Sequence, residues 1–159
     1  MQITITLADQ TLVIENNGQV LRQFSVSTAA KGAGQQMGSE QTPLGWHTAR
    51  VKIGDGLPIN SVLIARRPTG EIYSPELARR QPERRDWILT RILWLSGLEP
   101  GVNRLGNVDS MRRFIYIHGT PDSEPMGVPR SHGCIRMRNN DVLTLFNQVP
   151  VGIPVNIKA

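Results

Sequence analysis

The chain has 159 residues, a single cysteine and a formal net charge of +5 at pH 7. That length suits one domain, spanning 1–159, with a core large enough to need no disulfide, and one cysteine cannot form an internal one. A basic chain invites a nucleic-acid reading. However, the pairs Arg66-Arg67, Arg79-Arg80, Arg84-Arg85 and Arg112-Arg113 are scattered and only 5% of residues are aromatic, so neither a basic stripe nor a stacking platform is expected.

Residues 1–7 alternate apolar and polar side chains as a half-exposed strand does. They lack the basic start, continuous apolar core and small-residue cleavage site of an export signal, and no apolar run in the chain is long enough to span a membrane. Read from Met1, the sequence predicts a cytoplasmic protein without membrane attachment. Residues 11–15 form a second strand after a turn at Ala8, Asp9 and Gln10. Asn16-Asn17-Gly18 marks a tight turn into a third strand at 20–27, because Asn and Gly tolerate positive φ. The Gly-rich loop at 31–38 lacks the Gly-Lys-Ser/Thr end of a phosphate-binding loop. Thr42-Pro43-Leu44-Gly45 reads as a turn, and His47 beyond it as a surface or packing histidine.

Residues 49–100 alternate short apolar runs with polar, Pro-bearing linkers. Ser74 is placed to cap a helical turn that begins at Pro75. The apolar run 111–117 predicts a buried strand that ends at His118, with Gly119 turning the chain sharply away. A Pro- and Gly-rich loop follows and returns as Ser131-His132-Gly133-Cys134. A cysteine becomes a useful nucleophile when its thiolate is stabilised, and an imidazole is a common means. Successive N–H groups of His132, Gly133 and Cys134 could then line an oxyanion hole. A lone cysteine can also be an inert small hydrophobe. His118, His132 and Cys134 are all able to bind zinc as well, although no second cysteine exists to close a structural site. The chain then predicts a short helix of about two turns capped by Asn139, Asn140 or Asp141, and a final edge strand at 153–157.

The pattern His118-Gly119-Thr120, a loop, then Ser131-His132-Gly133-Cys134-Ile135-Arg136-Met137 resembles the signature of the YkuD-type L,D-transpeptidases, and Thr42-Pro43-Leu44-Gly45 is similar to that family's upstream turn. The resemblance covers essentially the whole chain. It implies a mostly β, sandwich- or barrel-like domain with one or two short helices and a lid, for which residues 54–86 are the best candidate. It also implies a thioester on Cys134, formed at the bond before the terminal D-alanine of a peptidoglycan stem peptide, with no cofactor and no metal. In that scheme His118 is the general base, the Gly119 carbonyl orients its ring, and His132 holds substrate or shapes the oxyanion hole. Arg136 binds a substrate carboxylate or braces the loop, Ser131 bonds the loop or assists Cys134, and Gly133 admits the substrate. Carbapenems are the covalent inhibitors that such a cysteine implies.

A cytoplasmic member would meet free, dilute wall fragments, so the sequence favours L,D-carboxypeptidase action, tetrapeptide to tripeptide, during wall recycling. Cross-linking or exchange of D-amino acids is the alternative. A non-catalytic stem-peptide-binding module and a zinc hydrolase are the readings from other classes. Metal analysis and the alkylation of Cys134 discriminate them.

Overall fold

The computed structural model describes residues 1–84 and 86–159. Arg85, of the pair Arg84-Arg85, lies outside the described residues. The amino-terminal meander comprises β1 (Gln2–Thr6), β2 (Thr11–Asn16) and β3 (Gln19–Ser25), with Asn17 and Gly18 as the two-residue turn between the last two. Strand alternation sends Ile3, Ile5, Leu12 and Ile14 fully into the core and leaves their neighbours partly exposed. The later elements are β4 (Gly45–Ile53), β5 (Ser61–Ile64), β6 (Arg67–Ile72), α1 (Pro75–Arg80), β7 (Ile88–Gly97), β8 (Tyr116–Gly119), β9 (Ile135–Met137), α2 (Asn139–Gln148) and β10 (Pro154–Lys158). Among the described residues the ten strands form one mixed sheet in the order β3-β2-β1-β10-β4-β7-β5-β6, with β8 branching from β7 and β9 pairing with β8.

Three expectations are corrected here. The strand expected over 111–117 begins only at Tyr116; Met111 to Phe114 form turns, and Phe114 is half exposed with φ 57°. Asp109 holds those turns, its Oδ1 accepting the Arg112 amide at 2.9 Å and its Oδ2 the Leu105 amide at 2.8 Å. The final strand is central, not an edge: β10 runs parallel to β1 and antiparallel to β4. Pro154 is tolerated because it occupies the first position of the strand. Finally, α2 has Arg138 at its N-cap, without a side-chain cap bond, and Asn139 is turned to another task.

Asn139 is a fully buried hub beside β8. Its Oδ1 accepts the Thr90 hydroxyl at 2.6 Å, and its Nδ2 donates to the Thr120 carbonyl at 2.8 Å and to Asn60 Oδ1 at 2.9 Å. Thr90, a β-branched residue held at φ 73°, sits in a bulge of β7, where the β7–β8 register jumps from Leu89↔Gly119 to Ile92↔His118. The hub therefore fixes the bulge against which His118 and Gly119 rest. Replacing Asn139 with alanine strands several buried polar groups at once. The expected cost is about 2–4 kcal/mol, read as a lower urea midpoint at unchanged m-value.

The main core packs α2, through Val142, Leu145 and Phe146, against the inner face of the sheet, including Leu93, Leu95, Ile117, Ile135 and Met137. The described residues of 54–86 share a small core with Trp87 and β7. Val62, Leu77, Trp87 and Leu89 pack together, and the Ser74 hydroxyl accepts the Leu77 amide at 3.1 Å to start α1 at Pro75. The segment expected to act as a lid is thus a hairpin and a helix tied to β7.

Candidate active site

Parallel pairing of β8 with β9 sets Ile117 opposite Ile135 and His118 opposite Arg136. Ile117, Ile135 and Met137 point into the main core. By alternation Tyr116, His118 and Arg136 emerge on the other face, and Cys134, two residues before Arg136, joins them. One face of this short strand pair therefore carries the chemistry while the other carries the packing.

Cys134 is partly buried. Its Sγ accepts the Tyr116 amide at 3.3 Å and donates to the Phe114 carbonyl at 3.3 Å. Burial pushes the thiol pKa up to about 12. The Tyr116 amide works against that rise, Asp86 adds to it, and Arg136 and Arg113 oppose it. The resting group is consequently a neutral thiol. His118 is fully buried, and burial lowers its pKa below the ordinary histidine value, so it too is neutral. Its Nδ1 lies 2.6 Å from the Gly119 carbonyl. A carbonyl can only accept, so Nδ1 carries the proton and Nε2 presents a lone pair. Among the described residues that buried Nε2 has no hydrogen-bond partner, an arrangement that native proteins rarely leave unexplained.

Gly119 is required by close approach rather than by a sharp reversal, since a Cβ there would meet Asn139 Oδ1 at 2.5 Å and the Leu89 carbonyl at 2.6 Å. Gly133 is required by its backbone, with φ +131°. The expected oxyanion set loses one member: the Gly133 amide donates to Ser131 Oγ at 3.2 Å. Ser131 Oγ in turn donates to the Cys134 carbonyl, so Ser131 closes the nucleophile loop on itself. Thr42, from the upstream turn, locks the same loop, its hydroxyl donating to the Gly133 carbonyl at 3.0 Å while accepting the Ala29 amide at 3.0 Å.

Arg136 is buried, and its Nη2 already holds a carboxylate, Asp86 Oδ1, at 3.0 Å, with Glu124 at 3.9 Å from Nη1. His132 is exposed, its Nδ1 3.9 Å from Asp86 Oδ2. A cleft of about 300 Å³ opens over Cys134 and His132 and is walled by Asp86, Arg66, Arg113, Phe114 and Tyr116. His118 lies below the surface and does not line it. Among the described residues, His118, His132 and Cys134 belong to no cluster able to hold a metal ion. His47 lies elsewhere as a packing group, with Nε2 2.8 Å from Ser110 Oγ, and burial takes its pKa down to about 4.

Asp86, Tyr116, Arg66 and Arg113 escape the sequence reading. Tyr116 had a signal, since it stands two residues before His118 and shares its face. Asp86 and Arg66 come from residues 54–86, whose placement over the site no local pattern reveals.

The model of the YkuD family, the L,D-transpeptidase catalytic domain, matches residues 1–157. The chain belongs to this family. A 43-residue stretch, 27% of the chain, is 49% identical to the probable L,D-transpeptidase YbiS of Escherichia coli K12 and covers 14% of that protein. Among solved structures, the L,D-transpeptidase from Mycobacterium smegmatis superposes with a TM-score of 0.56 at 20% identity, over 99% of this chain and 58% of that one. L,D-transpeptidase 3 from Mycobacterium tuberculosis, in complex with a faropenem-derived adduct, gives 0.58 at 15% identity, over 99% and 59%. At these identities the structural likeness speaks for the fold alone. This L,D-transpeptidase-family chain spans less than two thirds of the relatives it matches.

Proposed function

We propose that this domain is a cysteine acyltransferase that cleaves the bond before the terminal D-alanine of peptidoglycan tetrapeptides, chiefly as an L,D-carboxypeptidase releasing tripeptide. The observation that carries the acyl-transfer reading is the buried, unpartnered Nε2 of a neutral His118 on the face that holds the neutral Cys134 thiol. A thiol with a raised pKa attacks only if its proton leaves as the bond forms, and a neutral imidazole with a free lone pair is the group suited to take it.

In this scheme Cys134 Sγ adds to the carbonyl carbon while its proton passes to His118 Nε2. The Gly119 carbonyl, which accepts from Nδ1–H, stabilises the imidazolium that forms. The amides of His132 and Cys134 receive the oxyanion. Collapse breaks the C–N bond, His118 returns the proton to the departing amine of D-alanine, and a Cys134 thioester remains. Water, deprotonated by His118, then releases the tripeptide and restores the thiol. Exposed His132 sits at the mouth of the cleft, where it contacts substrate. Arg136, occupied by Asp86, is assigned to bracing that wall of the cleft rather than to capturing a free carboxylate. Carbapenems enter as β-lactam acyl donors to the same sulfur.

Hydrolysis is favoured over cross-linking by the size of the cleft. About 300 Å³ is at the small end for a ligand pocket. Hydrolysis needs only water at the sulfur, whereas a cross-link needs an amine from a second stem peptide there, so a small cleft supports the carboxypeptidase reading. Incubation with a tetrapeptide donor and excess amine acceptor, followed by mass spectrometry, should yield tripeptide as the main product. Dimers dominating at micromolar donor would reassign the domain as a transpeptidase, and no product from either route would remove the acyl-transfer reading itself.

A further inference from the structure

The hairpin joining β5 to β6 turns through only two residues, Ala65 and Arg66, because Ile64 pairs directly with Arg67. Both lie in the left-handed region, at φ 47° and 63°. That is the geometry of a tight hairpin turn normally made by Asn-Gly, and neither alanine nor arginine is suited to it. Backbone held in a sparsely populated conformation is a pointer to function when its side chain has somewhere to go. Here it does. The Arg66 guanidinium lies 4.8 Å from the Trp94 ring centroid and 4.9 Å from that of Phe114, and Nη1 donates to the Tyr116 hydroxyl at 3.0 Å. Phe114 is itself strained, at φ 57°. Aromatic rings cover the flat of the guanidinium, which leaves its edge donors Nε and Nη2 for another group.

Arg66 lines the same cleft as Cys134. The three guanidinium groups around the nucleophile are not equivalent. Arg136 is paired with Asp86. Arg113 gives Nη1 to the Gly34 and Gln35 carbonyls and Nη2 to Ser39 Oγ and the Gln41 carbonyl, so its fork braces the loop at 34–41. Among the described residues, Arg66 forms no ion pair with a carboxylate, and its one hydrogen bond goes to a phenol. A stacked, immobilised guanidinium with open edge donors loses little side-chain freedom on binding and matches a carboxylate's two oxygens.

We propose that Arg66 is the substrate-binding residue that recognises a free carboxylate beside the scissile bond, and that it selects acyl donors ending in a free acid over those ending in an amide. Because Arg66 and Cys134 wall one cleft, the carboxylate is assigned to the residue next to the attacked carbonyl, on the leaving side. The proposal rests on Cys134 as the attacking atom, and the hairpin thereby acts as a specificity element.

The test compares wild type, Arg66→Gln and Arg66→Lys in two assays. In the first, kcat/KM is measured for a tetrapeptide with a free terminal acid and for its terminal amide. Loss of a charge-assisted bidentate contact should lower the acid-to-amide ratio on the order of tenfold in Arg66→Gln, with Arg66→Lys between, because it keeps the charge and loses the fork. In the second, Cys134 is alkylated with anionic iodoacetate and neutral iodoacetamide, and the ratio of rates should fall in the same order across the variants. Both readouts are ratios within one protein, so a general loss of folding or of nucleophile reactivity cancels. Equal losses on acid and amide, with an unchanged alkylation ratio, would reduce Arg66 to a hairpin prop and overturn the proposal. If wild type turns over neither peptide, the acyl-transfer reading fails, and the alkylation ratio alone still decides the role of Arg66.

Discussion

Cys134→Ala is expected to abolish the proposed acyl transfer and to leave the fold in place. The sulfur is partly buried and packs only at the margin of a small cluster with Leu63, Ile92 and Tyr116, so its removal opens little cavity. The expected stability change is about 1 kcal/mol or less, well below that of a truncated core leucine. Ser131, Gly133 and Thr42 hold the loop through groups that do not involve the thiol, so its shape survives. No other cysteine exists to take over the chemistry. A carbapenem should therefore add once to wild type and not at all to the variant, by intact mass, while the thermal melts of the two proteins nearly coincide. An unmodified wild-type mass after prolonged incubation would remove Cys134 from the role of nucleophile.

What the sequence made legible, and what it hid, follows from the range of the interactions involved. The amino-terminal meander is written in alternation at Ile3, Ile5, Leu12 and Ile14 and in one Asn-Gly turn, and these are local signals. Ser74 and Pro75 announce α1 in the same way, through a cap and a ring that fix the first turn. The apolar run before His118 misleads because Asp109 captures the Arg112 and Leu105 amides, and a side-chain acceptor several residues upstream leaves no trace in hydrophobic periodicity. Asn139 looks like a helix cap by composition, but Thr90, Asn60 and Thr120 claim its side chain from three distant segments. Pro154 looks like an edge residue because its missing N–H is visible in sequence, whereas its place at the first position of a central strand is not.

The candidate site divides along the same line. The residues from Ser131 to Arg136 and the pair His118-Gly119 form two short stretches, one loop apart, that point to cysteine chemistry without coordinates. Their partners do not. Asp86, which occupies Arg136, lies 50 residues away from it in sequence. The Gly133 amide looks like an oxyanion donor in the sequence because only the folded loop reveals that Ser131 Oγ takes it. The motif supplies the reactive groups, Cys134 and His118, and long-range partners decide which of the neighbouring donors remain unpaired.

The largest effect on rate after loss of the nucleophile is expected at His118, and its pH dependence distinguishes a base from a structural residue. Burial lowers the pKa of His118, so the neutral form is the folded form, and it is fully populated at pH 7. Wild-type kcat/KM should stay flat as pH falls through 6.5, the ordinary histidine value, and decline only at lower pH as Nε2 is protonated. Folding stability moves in the same direction. An imidazole depressed in the folded state is protonated first in the unfolded chain, so its stabilisation is complete above the unfolded value and is lost as pH falls toward the folded one. His47, with a pKa of about 4, adds to this loss in wild type and in any His118 variant alike. His118→Gln should keep a donor to the Gly119 carbonyl but remove the base, and acylation by a carbapenem should slow by about 10²–10⁴-fold at pH 7. The residual reaction must then draw on free thiolate. With the thiol pKa near 12, the residual rate should rise about tenfold per pH unit from 7 to 9, while the wild-type rate stays level over the same range. His132 is exposed and contacts Asp86 only at 3.9 Å, so its replacement should raise KM with a smaller effect on kcat and no new slope with pH. A His118→Gln enzyme that keeps its rate and its flat profile, beside an inactive His132 variant, would exchange the roles of the two histidines.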